Sequence, residues 1–371
     1  MKVPLLDLQA QYGEISGAVD AAMAEVIRTQ RFVLGPVVEQ LESELARRVG
    51  VAHAIACASG TDALLLPLRA LELAPGAEVL VPAFTFFATA GAVWNAGLRP
   101  VFVDVDPDTF NVTAETLEPA LTDRTRALVV VHLFGQMAPM SEVMELAGRY
   151  GLRVIEDAAQ AIDARQHLAG EWRAAGSVGT VGSFSFFPTK NLGSFGDGGL
   201  ITTDDEVLAE RLRKLRVHGG RQMYHHEMVG TNSRLDAIQA AVLLAKLPHL
   251  TRWTEARRSN AAAYHVAFDG LDGVRAPAVM EGNHHVYNQY TVRSSRRDAL
   301  KQHLESLGIG SGVYYPLGLH LQECFASLGY RRGDLPNTER ATAEVLSLPV
   351  YPELGPEQVR AVIDGVGTFH G

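Results

Sequence analysis

The chain counts 371 residues, 47 % of them hydrophobic and 20 % charged, with a formal net charge of -9. Those proportions suit a soluble globular enzyme, and the acidic balance speaks against a nucleic-acid binder, which needs a basic stripe. The two cysteines, Cys57 and Cys324, have no partners at disulfide-framework or metal-ligand spacing, so a reducing cytoplasm is the expected setting.

The opening MKVPLLDLQAQYGEI meets an acid too early, and after too short an apolar run, for a signal peptide. No run is long enough to span a bilayer, and no repeat of solenoid period is found. In ASGTDALLLPLRAL (58–71), Ser-Gly-Thr-Asp leads directly into an apolar helical pattern. EVLVPAFTFFATA (78–90) predicts a strand turning into a helix. RPVFVDVD (99–106), RALVVVHLFG (126–135) and RVIEDAAQ (153–160) are short, nearly continuous apolar runs that end in polar residues. Helical patterns such as MSEVMELAGRYG (140–151) lie between them. Buried strands alternating with helices predict an α/β fold with a mostly parallel sheet covered by helices on both faces. GTVGSFSFF (179–187) and GGLITTDD (198–205) add two strands, and helices follow from about 207 to 269, broken by a loop around 218–232. NQYTVR (288–293) and RDALKQHLESLG (297–308) then alternate as strand and helix. The expected organisation is a large domain over 1–250 with an N-terminal arm, and a smaller α/β domain over 251–371.

In open α/β sheets, ligands bind beyond the carboxyl ends of the strands. That rule selects Phe86, Asp157, Ser185 and Lys190. Lys190 is the unusual member. Of the five lysines, Lys214, Lys246 and Lys301 lie in helical patterns and Lys2 at the terminus, whereas Lys190 sits among Gly, Ser and Phe in GSFSFFPTKNLGSFGDGG (182–199). A lysine in a dry, glycine-rich pocket has a lowered pKa, because desolvation disfavours its charged form. It can then bond covalently to an aldehyde, and the aldehyde such a lysine holds most often is pyridoxal phosphate. Asp157 would keep the cofactor's pyridine nitrogen protonated, and Phe86 would stack on its ring. The SGTD start, approached closely through Gly60 with Ser59 and Thr61 adding hydroxyls, would take the phosphate, with Ser185 as a further donor. Each has a plainer reading: SGTD as a helix cap, Asp157 as a turn residue, Phe86 as core. Only Lys190 has none.

The chain resembles the DegT-type sugar aminotransferases, a branch of the fold-type I pyridoxal phosphate enzymes. The resemblance rests on FVLGPVVEQLE (32–42), SGTDAL (59–64), VPAFTFFAT (81–89), HLFGQMAPM (132–140), VIEDAAQAIDA (154–164), SFFPTKNLGSFGDGG (185–199), GTNSRLDAIQAAVL (230–243) and LSLPVYPEL (346–354). It implies that Lys190 holds the cofactor and shuttles a proton, that Asp157 pairs with the ring nitrogen, and that Gln160 bonds the phenolic oxygen. It further implies that Asn232 reaches the phosphate of a neighbouring subunit, in a homodimer with shared active sites. The implied reaction has two halves: an amino-acid donor, by family habit glutamate, leaves its nitrogen as pyridoxamine phosphate, and a nucleotide-linked keto-sugar takes it. YHHEMVGTNSRLD (224–236) and YNQYTVR (287–293) look most like the subgroup acting on UDP-linked 2-acetamido-3-keto-hexuronates. Arg234 would then meet a carboxylate, with Tyr314, Tyr315 and His320 near the sugar. Tyr314 and Gly318 depart from the family pattern, which leaves dTDP-linked 3-keto- or 4-keto-6-deoxyhexoses as an alternative. A sugar dehydratase is a further rival, against which the retained Lys190 counts; non-catalytic regulators and structural oligomers are others. His225, His226, His284 and His285 lack the spacing of a metal site, and no metal is expected.

Overall fold

The computed structural model describes residues 2–222 and 224–370. Two helices open the chain, α1 (Leu8–Thr29), capped by the Asp7 side chain on the Ala10 N–H, and α2 (Pro36–Val49), which starts on proline and stops at Gly50. An alternating run follows: β1 (His53–Cys57), α3 (Gly60–Ala70), β2 (Glu78–Pro82), α4 (Phe87–Asn95) and β3 (Arg99–Val103). Next come a one-turn α5 (Ala114–Leu117), β4 (Thr125–Val131), α6 (Met140–Tyr150) and β5 (Arg153–Asp157). A hairpin, β6 (Arg165–Leu168) and β7 (Glu171–Ala174), precedes β8 (Val181–Ser185) and β9 (Gly199–Thr203).

Among the described residues seven strands form the main sheet, in the order β1-β9-β8-β5-β4-β2-β3. Pairing is parallel from β8 through β3, while β9 runs antiparallel to both of its neighbours. The apolar runs are continuous because the sheet is buried on both faces. Val79, Val81, Val129 and Ile155 pack into one cluster, whereas Leu80, Leu128, Val130 and Val154 point into another across the sheet.

The remaining elements are α7 (Glu206–Leu215), α8 (Ala237–Lys246), α9 (Leu250–Phe268), β10 (Asn283–His284), β11 (Tyr290–Arg293), α10 (Arg297–Ser306), α11 (Pro336–Glu344), β12 (Val345–Leu348) and α12 (Pro356–His370). The β11–β12 pair packs with α9, α10 and α12 around a separate core of Tyr264, Phe268, Tyr290, Leu300, Leu346 and Val362. Leu250 closes the first core and Ala261 enters the second. The two interleave in sequence: Val3 joins the second core, while Val286, Ala341 and Val345 join the first. The hairpin β6–β7, extended by β10 into a small sheet of its own, had no distinct signal, since Arg165–Leu168 and Glu171–Ala174 are short and mostly polar. Among the described residues no helix is long and apolar enough to cross a membrane.

Candidate active site

Three neighbouring strands end together. In register, Val131 at the end of β4 stands beside Asp157 at the end of β5, and Asp157 beside Ser183 in β8. Their exits open onto a cleft of about 640 Å³. Ser59, Gly60 and Thr61 line it from the start of α3, and Phe86 from the entry to α4. Asp157 and Gln160 line it from the end of β5, Ser185 and Lys190 from the segment around the end of β8, and Tyr314 and Tyr315 from the C-terminal part.

One end of the cleft suits an anion. Ser59 caps α3, its Oγ accepting from the Asp62 N–H at 3.1 Å, which leaves the hydroxyl proton and the first N–H groups of the helix for a ligand. Glycine is required at 60, because a Cβ there would stand 2.6 Å from the Ser185 Cβ and 2.8 Å from its Oγ. The other flank is as tight: a Cβ on Gly199 would fall 2.2 Å from the Ser59 carbonyl oxygen. The helix start and the lysine-bearing segment therefore press together, bringing the hydroxyls of Ser59, Thr61 and Ser185 around one point of the cleft wall. A phosphate fits this cradle.

The other end suits a cation. Asp157 is 4 % exposed. Thr89, on α4, donates to its Oδ2 at 2.9 Å, and the Ala159 N–H donates to Oδ1 at 3.2 Å. Burial pushes the Asp157 carboxyl above its usual range, and the Thr89 and Ala159 hydrogen bonds with the charges of Lys190 and His132 recover only part of that. A pyridinium nitrogen beside it would complete the counter-charge. Next to it, Glu156 is fully buried and accepts from the N–H groups of Gly176, Val178 and Gly179 at 2.9, 2.7 and 2.6 Å. His132 completes this arrangement, its Nδ1 accepting from the Ala138 N–H at 3.2 Å and its Nε2 lying 2.8 Å from Glu156 Oε2. Burial would raise the Glu156 carboxyl, but His132 and the N–H groups outweigh it and hold it below the usual range. The His132 N–H in turn donates to the Asp157 carbonyl at 3.0 Å, so this buried pair clamps the strand ends that present Asp157.

Lys190 keeps part of its surface open to the cleft, yet the walls strip water from its amine. Burial brings its pKa down from 10.5 to about 8, with the Asp157 charge pulling the other way. Gln160 is fixed at both ends: Oε1 accepts from the Phe134 N–H at 2.7 Å, and Nε2 donates to the Tyr315 hydroxyl at 3.1 Å. One Nε2 proton remains for a ligand oxygen. Phe86 is not core: it is 58 % exposed, tilted against Tyr315 at a centroid distance of 6.2 Å, and offers a face on which a flat ring can lie.

Three expected residues lie elsewhere. His320 is 1 % exposed and its Nε2 lies 3.3 Å from Glu339 Oε1, so it serves packing near α11 and corrects the expectation that it meets sugar. Asn232, exposed and bridged to Val217, and Arg234, half-buried, do not line this chain's cleft. Residues that reading the sequence missed are Thr89, the Glu156–His132 pair, Thr189 and Gln289. Thr89 could have been found, since it stands one helical turn beyond Phe86 in VPAFTFFAT; Gln289 could not, because it arrives from the second core. Among the described residues no group of three or more His, Cys, Asp or Glu converges on a metal position.

A family model described as the DegT/DnrJ/EryC1/StrS aminotransferase family matches residues 14–367. A Geobacillus stearothermophilus protein named "Pleiotropic regulatory protein" is 48 % identical over 372 residues, covering 100 % of this chain and 99 % of that one. An Acidithiobacillus ferrooxidans protein named UDP-N-acetyl-3-dehydro-alpha-D-glucosamine 3-aminotransferase is 45 % identical over 370 residues, covering 100 % of this chain and 98 % of that one. Among solved structures, S. venezuelae DesV superposes with a TM-score of 0.96 at 45 % identity, covering 100 % of this chain and 98 % of that one.

Proposed function

Because this chain belongs to the DegT/DnrJ/EryC1/StrS aminotransferase family, we propose that it moves an amino group from L-glutamate to C3 of a UDP-linked 2-acetamido-3-keto sugar. The broader statement needs no proposal: it is a pyridoxal-phosphate-dependent sugar-nucleotide aminotransferase of fold-type I. The cofactor supplies an electron sink that stabilises the carbanion formed when a proton leaves the substrate carbon.

We assign the chain's own residues as follows. Asp157 would hold positive charge on the ring nitrogen, its carboxylate fixed by Thr89 and the Ala159 N–H and its backbone by His132. The helix start at Ser59, Gly60 and Thr61, with Ser185, would anchor the phosphate and so fix the place of the ring. Lys190 Nζ would hold the cofactor and would take and return a proton at the substrate carbon; an amine with a pKa of about 8 is suited to both. Phe86, which lines the cleft, would close one ring face, and the free Gln160 Nε2 proton would go to the phenolic oxygen.

Amination at C3 is supported by 45 % identity with both the A. ferrooxidans UDP-sugar 3-aminotransferase and a Streptomyces venezuelae dTDP-3-amino-3,4,6-trideoxy-alpha-D-glucose transaminase. The UDP-linked acceptor is favoured by the slightly fuller coverage of the former. The hexuronate variant draws less support from the cleft. Among the described residues that line it, Lys190 is the one cation, and Arg234, the residue expected to meet a uronate, is not among them. Running the reaction backwards tests this: UDP-linked 2-acetamido-3-amino-hexose with 2-oxoglutarate should yield L-glutamate with a kcat/KM at least about tenfold above that for a dTDP-linked 3-amino-6-deoxyhexose or the corresponding hexuronate. A preference for either of those overturns the assignment.

We also propose a homodimer that completes each cleft with Asn232 of the other copy. Its support is the exposed position of Asn232 and the exposed aromatics Phe87, Phe187 and Phe195 (47, 49 and 43 %). Mixing inactive Lys190→Ala and Asn232→Ala chains should restore activity in one of the two clefts of a mixed dimer; no restoration speaks against sharing.

A further inference from the structure

Beside the cleft lies a second cavity of about 320 Å³ that shares Thr189, Gln289 and Tyr314 with it. Arg257 of α9 lines this second cavity, although it is only 3 % exposed. Its Nη1 donates to the Tyr287 carbonyl at 3.3 Å, and its Nε finds no acceptor. Among the described residues no carboxylate forms an ion pair with it, and no acid lines the cavity. In the same wall Asn288, 9 % exposed, gives Nδ2 to Gln289 Oε1 at 2.7 Å and leaves Oδ1 without a partner. Leu5, Leu6, Leu348 and Val350 make up the apolar part of the lining.

A buried guanidinium with an idle N–H, which feels the charge of Glu353 but makes no ion pair with it, is costly to fold around. It is also what an anionic ligand needs, because Arg presents a planar fork to a carboxylate. Among the described residues of one chain, the main cleft offers a single lining cation, Lys190, the reacting amine. We infer that the second cavity is the donor's carboxylate subsite, in which Arg257 holds a carboxylate of the amino acid whose ammonium enters the main cleft past Thr189, next to Lys190. Asn288 Oδ1 offers that ammonium an acceptor on the way, and the leucines and Val350 cover the donor's methylene groups. Burial holds the Arg257 guanidinium down at about 10, with the charge of Glu353 opposing it; a bound carboxylate removes that penalty. The inference rests on the aminotransferase reading of the main cleft, not on the identity of the sugar.

The test separates the two half-reactions of the holoenzyme. In Arg257→Gln, bleaching of the bound cofactor by L-glutamate should need at least about 30-fold more glutamate, and Arg257→Lys should recover part of this. Single turnover of the amino-sugar with the same variant should stay within threefold of the native rate. Calorimetry with glutarate, which cannot react, should show binding to the native protein and none to Arg257→Gln. If Arg257→Gln does not fold, Leu5→Glu serves instead: a carboxylate built into the half-buried rim should occupy Arg257 and weaken glutamate in the same selective way. Unchanged glutamate affinity, or equal loss in both half-reactions, overturns the inference. A wrong sugar assignment leaves the glutamate and glutarate results untouched, so the two failures are distinguishable.

Discussion

The amine of Lys190 should capture an aldehyde far faster at neutral pH than an ordinary lysine does, and the margin follows from its surroundings. Only the neutral amine is a nucleophile, so the capture rate rises with pH until the folded pKa is passed and then levels. With a pKa of about 8, roughly one Lys190 in ten is neutral at pH 7, against about one in 3,000 for a lysine at its usual value, a factor of about 300. The assay mixes cofactor-free protein with pyridoxal, which lacks the phosphate and so bypasses the anion cradle, across pH 6 to 9.5, with borohydride trapping and peptide mapping to Lys190. The rate should climb about tenfold per pH unit and break near pH 8. Asp157→Asn removes the charge that holds the ammonium, the one cause raising this pKa, so its break should move to lower pH. A rate that climbs without a break to pH 9.5, or an Asp157→Asn break that moves upward, refutes the reasoning.

Gly60→Ala should weaken pyridoxal phosphate binding by at least about tenfold, since the added methyl enters the 2.6 Å gap to Ser185 Cβ. Adding Ser185→Gly removes that contact and should restore part of the affinity, measured by fluorescence titration; no rescue would place the fault elsewhere. Thr89→Val deletes a hydrogen bond to a buried carboxylate, a loss of about 2 kcal/mol. Because that bond lowers the Asp157 pKa and the ionised form is the working one, the acid limb of the kcat profile should move to higher pH. A profile that keeps its shape and only drops in height would show that Thr89 acts on packing alone. Glu156→Gln turns an amide N–H toward donors already there and should destabilise the fold by about 3 kcal/mol in denaturant unfolding. The native contribution of Glu156 is present above the unfolded carboxylate pKa of 4.5 and fades as pH falls through its lowered folded value, so the native and variant stabilities should converge in acid.

The residues of the cleft floor were legible because each carries a local signal. Asp157 and Ser185 stand at the ends of apolar strands, SGTD announces a helix start, and Lys190 is out of place among Gly, Ser and Phe. What was not legible depends on meetings across the chain. The close approach of Gly60 to Ser185 and of Gly199 to Ser59 spans more than a hundred residues. The antiparallel setting of β9 follows from its pairing with both β1 and β8, which no periodicity encodes. His320 was expected at the sugar because the resemblance puts its segment there; the short turn at Leu319–Leu321 holds it buried against Glu339. Arg257 reads as one more basic residue of an amphipathic helix until Tyr287 and Asn288 fold over it.

The adjacent tyrosines divide their obligations unequally. Tyr315 is bonded to Gln160 and packs edge-on against Phe84 at 6.0 Å and tilted against Phe86 at 6.2 Å, so altering it disturbs the aromatic bed and the amide that faces the cofactor. Tyr314 lines both cavities and is half-buried, and no hydrogen bond among the described residues ties it to Asp157, Lys190 or the helix start. Substitution there leaves in place the hydrogen bonds that fix Asp157 and Gln160.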